Sequence, residues 1–176
     1  MIVEQQSGPP AAPGEERHRL DPESLAPHLK ALYRAAYGLC GSRQDAEDLV
    51  QDTYEKVLRR PRFVRRDQDL AYLLRVLRNT WISSRRSVRP PAVPASDQID
   101  EIEAPRDPIA QAVDRAALYA ALQNLSQPLR EALVAVDVAG LSYRDAARVL
   151  GTKEGTIMSR LHRGRAQLVN CLGWEG

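Results

Sequence analysis

A chain of 176 residues is long enough for one domain or two small ones. Its formal net charge of +2 is too mild to define a partner. No apolar run approaches the roughly 18 residues of a membrane span, and the polar N-terminus does not read as a signal peptide, so a soluble protein inside the cell is expected. Cys40 and Cys171 lie far apart without metal-ligand spacing and read as reduced, inert thiols. The distribution of charge says more than its sum. Residues 43–58 carry Asp45, Glu47, Asp48, Asp52 and Glu55 against Arg43 and Lys56, whereas residues 59–88 carry nine arginines against Asp67 and Asp69. Such an asymmetry points to one surface for a protein and another for a polyanion.

In chain order, residues 1–20, with Gly8-Pro9-Pro10-Ala11-Ala12-Pro13-Gly14, read as a disordered tail. Asp21-Pro22 has the form of an N-cap followed by N1. Leu25, Leu29, Leu32, Ala36 and Leu39 then recur at helical spacing up to a stop at Gly41. A second helix is predicted from Ser42 to Arg60, with Ala46, Leu49, Val50, Tyr54, Val57 and Leu58 inward. Beyond Pro61 comes the basic loop Arg62-Phe63-Val64-Arg65-Arg66-Asp67, and a third helix over 69–86 has the apolar seam Leu70, Leu74, Leu77 and Trp81. These helices give a first domain, 21–88. Residues 89–107, with Pro90, Pro91, Pro94 and Pro105 among Asp97, Asp100, Glu101, Glu103 and Asp107, read as an acidic, semi-extended linker.

A second domain, 108–176, restarts helix at Asp107-Pro108 and runs to about Asn124. Another helix opens at Ser126-Gln127-Pro128 and is expected to end near Gly140. Two short helices follow. Ser142 and Asp145 approximate a capping box, Gly151 allows a stop, and Thr152 is expected to cap the last helix. Ile157 and Leu161 face inward at i, i+4. That leaves Lys153, Thr156, Ser159, Arg160 and Arg163 on a polar, basic face. This is the pattern of a helix-turn-helix whose second helix enters a DNA major groove. No strand with period-two alternation is expected. The fold class is therefore all-α: two small helical domains joined by a flexible linker, the second holding a helix-turn-helix.

Catalytic chemistry is poorly supplied. His18, His28 and His162 are not spaced as ligands, the Asp45–Asp48 cluster reads as a solvated or docking face rather than a metal site, and no glycine loop cradles a phosphate. No enzyme, metal or cofactor is expected. Nucleic-acid binding is better supplied, by arginines together with Phe63, the only phenylalanine.

Three stretches in this order carry a resemblance. Asp45-Ala46-Glu47-Asp48-Leu49-Val50-Gln51-Asp52-Thr53-Tyr54 looks like the core-polymerase-docking segment of the extracytoplasmic-function (ECF) sigma factors of bacterial RNA polymerase. Tyr72-Leu73-Leu74-Arg75-Val76-Leu77-Arg78-Asn79-Thr80 looks like their promoter-melting helix, and Leu141–Arg165 like their minus-thirty-five reader. Met158 stands where that family commonly has Lys or Arg, Lys153 where it often has Pro, and Ile82-Ser83-Ser84 is more polar than usual.

The resemblance implies a cytoplasmic bacterial protein with core RNA polymerase, duplex and melted promoter DNA, and an inhibitory anti-sigma factor as partners. It assigns polymerase docking to Asp45, Glu47, Asp48, Gln51, Asp52 and Tyr54. The minus-ten element falls to Phe63, Arg75, Arg78, Asn79, Arg85 and Arg86. The minus-thirty-five element falls to Lys153, Thr156, Met158, Ser159, Arg160, His162 and Arg163. A helix-turn-helix repressor or activator working without polymerase is the alternative; it explains 141–165 but leaves the acidic helix without a purpose. A structural adaptor needs neither Asn79 nor the arginines.

Overall fold

The computed structural model describes residues 17–60, 62–87 and 108–173. In chain order it comprises β1 (Arg17–Arg19), α1 (Pro22–Leu25), a 3-10 turn, α2 (Leu29–Cys40), α3 (Arg43–Arg59), β2 (Phe63–Arg65), a second 3-10 turn and α4 (Asp69–Ser87). Then come α5 (Pro108–Gln123), α6 (Gln127–Leu133), a π-helical turn (Val134–Val138), α7 (Tyr143–Leu150) and α8 (Glu154–Leu172). Among the described residues no helix is long and apolar enough to cross a membrane.

The helices begin and end where local chemistry directs. The Asp21 side chain accepts from the Ser24 amide while the Ser24 hydroxyl accepts from the Asp21 amide, a reciprocal cap that starts α1. Ser42 and Ser142 accept from the Asp45 and Asp145 amides and cap α3 and α7. Gly41 (φ 76°) and Gly151 (φ 64°) close α2 and α7 in the left-handed conformation, which side chains with a Cβ rarely adopt. Thr152 does not cap α8. Its amide donates to the Ala147 carbonyl, finishing α7, and Lys153 takes the cap position without a side-chain bond.

Three expectations are corrected. Residues 17–19 are a strand, paired antiparallel with 63–65 in the register Arg17 to Arg65, His18 to Val64, and Arg19 to Phe63. A buried His18–Asp69 contact and the fully buried Leu20 fix that strand to the first helical unit. Secondly, Leu29 and Leu58 face outward, because both border a shallow groove rather than the core. Thirdly, Cys40, at the end of α2, is half-buried against the core and desolvation pushes its thiol up to about 12, as an inert thiol requires, but Cys171 is exposed.

The two helical units share one hydrophobic core. Leu32, Ala35, Leu39, Leu74 and Leu77 meet Leu122, Val134, Ala135, Val149 and Leu150. Contact is close at Gly38, where a Cβ would lie 2.8 Å from Val134 Cγ2, and Tyr37 meets Tyr119 edge-on at 4.7 Å between centroids. Gly38→Ala therefore should destabilise the chain by about 1–3 kcal/mol through overpacking. Val134→Ala should recover part of that loss in the double variant. Urea unfolding of the two single variants and the double variant measures the coupling; strict additivity would place Gly38 away from Val134.

Candidate polymerase and nucleic-acid interfaces

Helix α3 buries Ala46, Leu49, Val50, Thr53 and Val57 and turns its carboxylates to solvent. Glu47 accepts from Arg43 at 2.9 Å, and Gln51 donates to Glu55 at 3.5 Å. Asp48 and Asp52 are exposed and form no ion pair within the described residues. Tyr54 is held half-buried by donation of its hydroxyl to the Leu25 carbonyl, and burial raises its pKa. Beside these groups Leu29, Tyr33, Val50 and Leu58 line the shallow apolar groove, with Glu47, Gln51 and Glu55 at its edge. The acidic pattern alone did not disclose this groove; Leu29 and Leu58, read as core, were its signal.

Helix α4 buries Leu73, Leu74, Leu77 and Trp81 and exposes Arg75 and Asn79. The Arg85 guanidinium lies 5.1 Å from the centroid of the Trp81 ring, so Trp81 is both core and a platform for that cation. Phe63 is 70% exposed, a large apolar ring left in water. Arg86 lies on α4, but its side chain falls outside the described residues, as do linker residues 89–107.

In the helix-turn-helix, Ile157 and Leu161 are buried and Lys153, Met158, Ser159, His162 and Arg163 are exposed, while Thr156 and Arg160 are half-buried. The Ser159 hydroxyl donates to the Thr156 carbonyl, and Arg163 donates to the Ser159 carbonyl at 3.3 Å. Arg165 lies off this face, paired with Asp137 at 2.6 Å. Gly164 is buried because a Cβ there would meet Leu133 at 2.8 Å, which ties α8 to α6.

One expected DNA residue is differently engaged. Arg78 donates to Glu131 at 2.8 Å, and Glu131, 4% exposed, also accepts from Gln127 at 2.7 Å. Arg130 beside it donates to the carbonyls of Leu39, Gln123 and Leu125 and to the Gln123 side chain. It thereby satisfies carbonyls left open at the ends of α2 and α5. Burial depresses the Arg130 pKa from its ordinary value. Neither Arg130 nor Glu131 stood out in the sequence, where both read as ordinary helix charges.

The Sigma-70 region 2 pattern matches residues 25–90 and the Sigma-70, region 4 pattern matches 115–168. The chain thus carries both Sigma-70 region 2 and region 4. It is 36% identical over 158 residues to the ECF RNA polymerase sigma factor SigE of Mycolicibacterium smegmatis, covering 85% of this chain but 60% of SigE. It is 34% identical over 149 residues to SigM of Mycobacterium tuberculosis, covering 84% of this chain and 74% of SigM. Among solved structures, the sigma factor RpoE of Bartonella quintana, crystallised with the anti-sigma factor NepR, superposes with a TM-score of 0.69 at 29% identity. That match covers 88% of this chain and 97% of RpoE. The chain belongs to the ECF RNA polymerase sigma factors.

Removing one partner of a buried ion pair strands the other charge, at a cost of about 3–5 kcal/mol. Arg78 retains some solvent access, so Glu131→Ala should fall at or below the lower end of that range. Arg78→Met combined with Glu131→Met should recover most of the loss. Thermal unfolding of these two variants beside the wild type decides this; an unperturbed Glu131→Ala would place the pair in solvent.

Proposed function

We propose that this chain is an initiation subunit that docks on core RNA polymerase through α3, captures melted minus-ten DNA through α4 and β2, and reads the minus-thirty-five duplex through α8. The observation that carries the reading is the pair of exposed faces that α3 and α4 present on the 25–90 unit. The unpaired carboxylates of Asp48 and Asp52 beside an apolar groove suit a basic, partly apolar helical partner; Asn79 and Arg75 suit an unpaired base and its phosphate. Phe63 supports stacking on an everted base. On α8, Ser159, His162 and Arg163, with Lys153 at the cap and Met158 between, form a face for base edges and phosphates. Thr156 and Arg160 flank it. Polymerase supplies the chemistry, so the chain needs no cofactor.

The packed arrangement of the two units has a functional consequence under this reading. Arg78 cannot neutralise a DNA phosphate while Glu131 neutralises Arg78, so promoter engagement requires the 25–90 and 115–168 units to part. RpoE is a sigma factor solved in complex with the anti-sigma factor NepR, and CnrH (TM-score 0.61, 25% identity) was solved in complex with the cytosolic domain of CnrY. The RpoE complex supports an anti-sigma factor as the partner that keeps the closed form.

Core polymerase pull-down tests the docking step. Asp48→Arg with Gln51→Ala should lose stoichiometric binding with helical content unchanged; near wild-type binding would move the docking face elsewhere and favour a free-standing DNA regulator.

The two DNA surfaces separate in permanganate footprints of open complexes. Asn79→Ala removes an amide contact worth about 1–3 kcal/mol of base discrimination. It should slow melting and relax preference at one minus-ten position. A pre-melted template should repair the melting defect but not the preference. Arg163→Ala should weaken minus-thirty-five capture on both templates. Loss of the same promoter element in both variants would contradict this division.

A further inference from the structure

The strand at residues 17–19 has no role in the function proposed above, yet it is paired with β2 of the 25–90 unit. Directly opposite residues of an antiparallel pair point to the same face. The register therefore sets Arg19 beside Phe63 and Arg17 beside Arg65 on one face, with His18 and Val64 together on the other. Burial agrees: both strands alternate exposed, half-buried, exposed. The inner face is anchored. His18 Nε2 lies 2.9 and 2.8 Å from the two carboxylate oxygens of Asp69, which is 5% exposed at the start of α4, and Leu20 is fully buried just beyond. The strand is thus pinned to the same helix that carries Asn79.

The outer face has the composition of a single-strand binding surface. Phe63 offers a bare ring, and Arg19, directly opposite it, and Arg17 and Arg65, one pair along, share its face of the ribbon. Arg65 is engaged by Asp67 at 3.2 Å. Arg17 and Arg19 pair with no carboxylate of the described residues, so their charge is available to an anion. Residues i and i+2 of a strand are spaced about 6.8 Å apart, a separation comparable to one nucleotide step of an extended strand.

We propose that β1 and β2 form a single-stranded-DNA-binding ribbon, in which Arg17 and Arg19 hold successive phosphates next to the nucleotide that stacks on Phe63. The proposal rests on the minus-ten reading of β2 and α4 and extends that interface to a segment upstream of both. The chemistry favours unpaired DNA over duplex, because Phe63 needs a free base face and duplex bases offer none without flipping.

The test uses the full-length chain and a fluorescein-labelled thymidylate 12-mer, titrated by anisotropy at several salt concentrations. A phosphate contact to a single strand contributes about 0.7 to the slope of log K against log salt. Replacing both arginines by glutamine (Arg17→Gln, Arg19→Gln) should therefore lower the slope by about 1.4, and affinity at 0.1 M salt by on the order of tenfold. Arg17→Lys with Arg19→Lys should keep the wild-type slope, which a merely structural role for the guanidinium groups would not allow. Phe63→Ala should weaken binding with little change in slope. Core polymerase pull-down of the glutamine variant should match wild type. An unchanged slope in the glutamine variant, no detectable binding of the 12-mer by wild type, or an equal loss on duplex of the same length would overturn the ribbon. None of those results would disturb polymerase docking, whose failure the pull-down registers separately.

Discussion

The buried meeting of Arg78 with Glu131 governs what this molecule can do. The Glu131 carboxylate is 4% exposed and both of its oxygens are satisfied, one by Arg78 and one by Gln127, while Arg130 alongside turns its terminal NH groups to the carbonyl ends of α2 and α5. Around these polar groups Gly38 admits Val134, and Leu74, Leu77, Val149 and Leu150 close over the pair. The contact joins the region 2 unit to the region 4 unit with interior-like packing. It also consumes a guanidinium that the proposed promoter complex requires. An apolar seam with one ion pair at its centre suits a separable interface, since the charges can find other partners once the halves part.

Under the proposed function, the same helix serves two masters in different states. The seam of α4 builds the core through Leu73, Leu77 and Trp81, while its remaining face presents Asn79 and Arg75 to solvent whether or not Arg78 is engaged. The docking face of α3 and the β1–β2 ribbon also stay exposed in the closed arrangement. Polymerase can therefore be met first and DNA later, with the units parting in between. The low net charge fits this order, because little non-specific attraction draws the free chain to duplex DNA.

Much of this was legible in the sequence. Helical spacing of Leu32, Ala36 and Leu39, the Ser42 and Ser142 caps, and Gly41 and Gly151 gave the end of α2 and both ends of α3 and α7 within a residue or two, since each signal acts within one helical turn; the 3-10 turn that separates α1 from α2 was read as continuous helix. The outward residues of α8 followed from the burial of Ile157 and Leu161. What stayed hidden depended on partners distant in sequence. Arg17-His18-Arg19 alternates over three residues, too short a period to read without Phe63–Arg65 opposite it. Leu29 and Leu58 carry the same apolar signal whether they face the core or a groove. Nothing local marks Glu131 as the partner of Arg78, fifty-three residues away. The packing of the two units was likewise invisible, because a proline-rich connector says nothing about what its ends touch.

The central claim is that a closed chain opens on polymerase. Arg59, exposed at the end of α3, and Cys171, exposed near the end of α8, report on the two units, and the half-buried Cys40 can be replaced by Ser. With Arg59→Cys and native Cys171 carrying spin labels, pulsed dipolar spectroscopy measures the distance between units directly. The account predicts one short, narrow distance distribution for the free chain and a longer one after stoichiometric binding of core RNA polymerase, with Glu131→Gln shifting the free chain part of the way. The same distribution in the free and polymerase-bound states would contradict it.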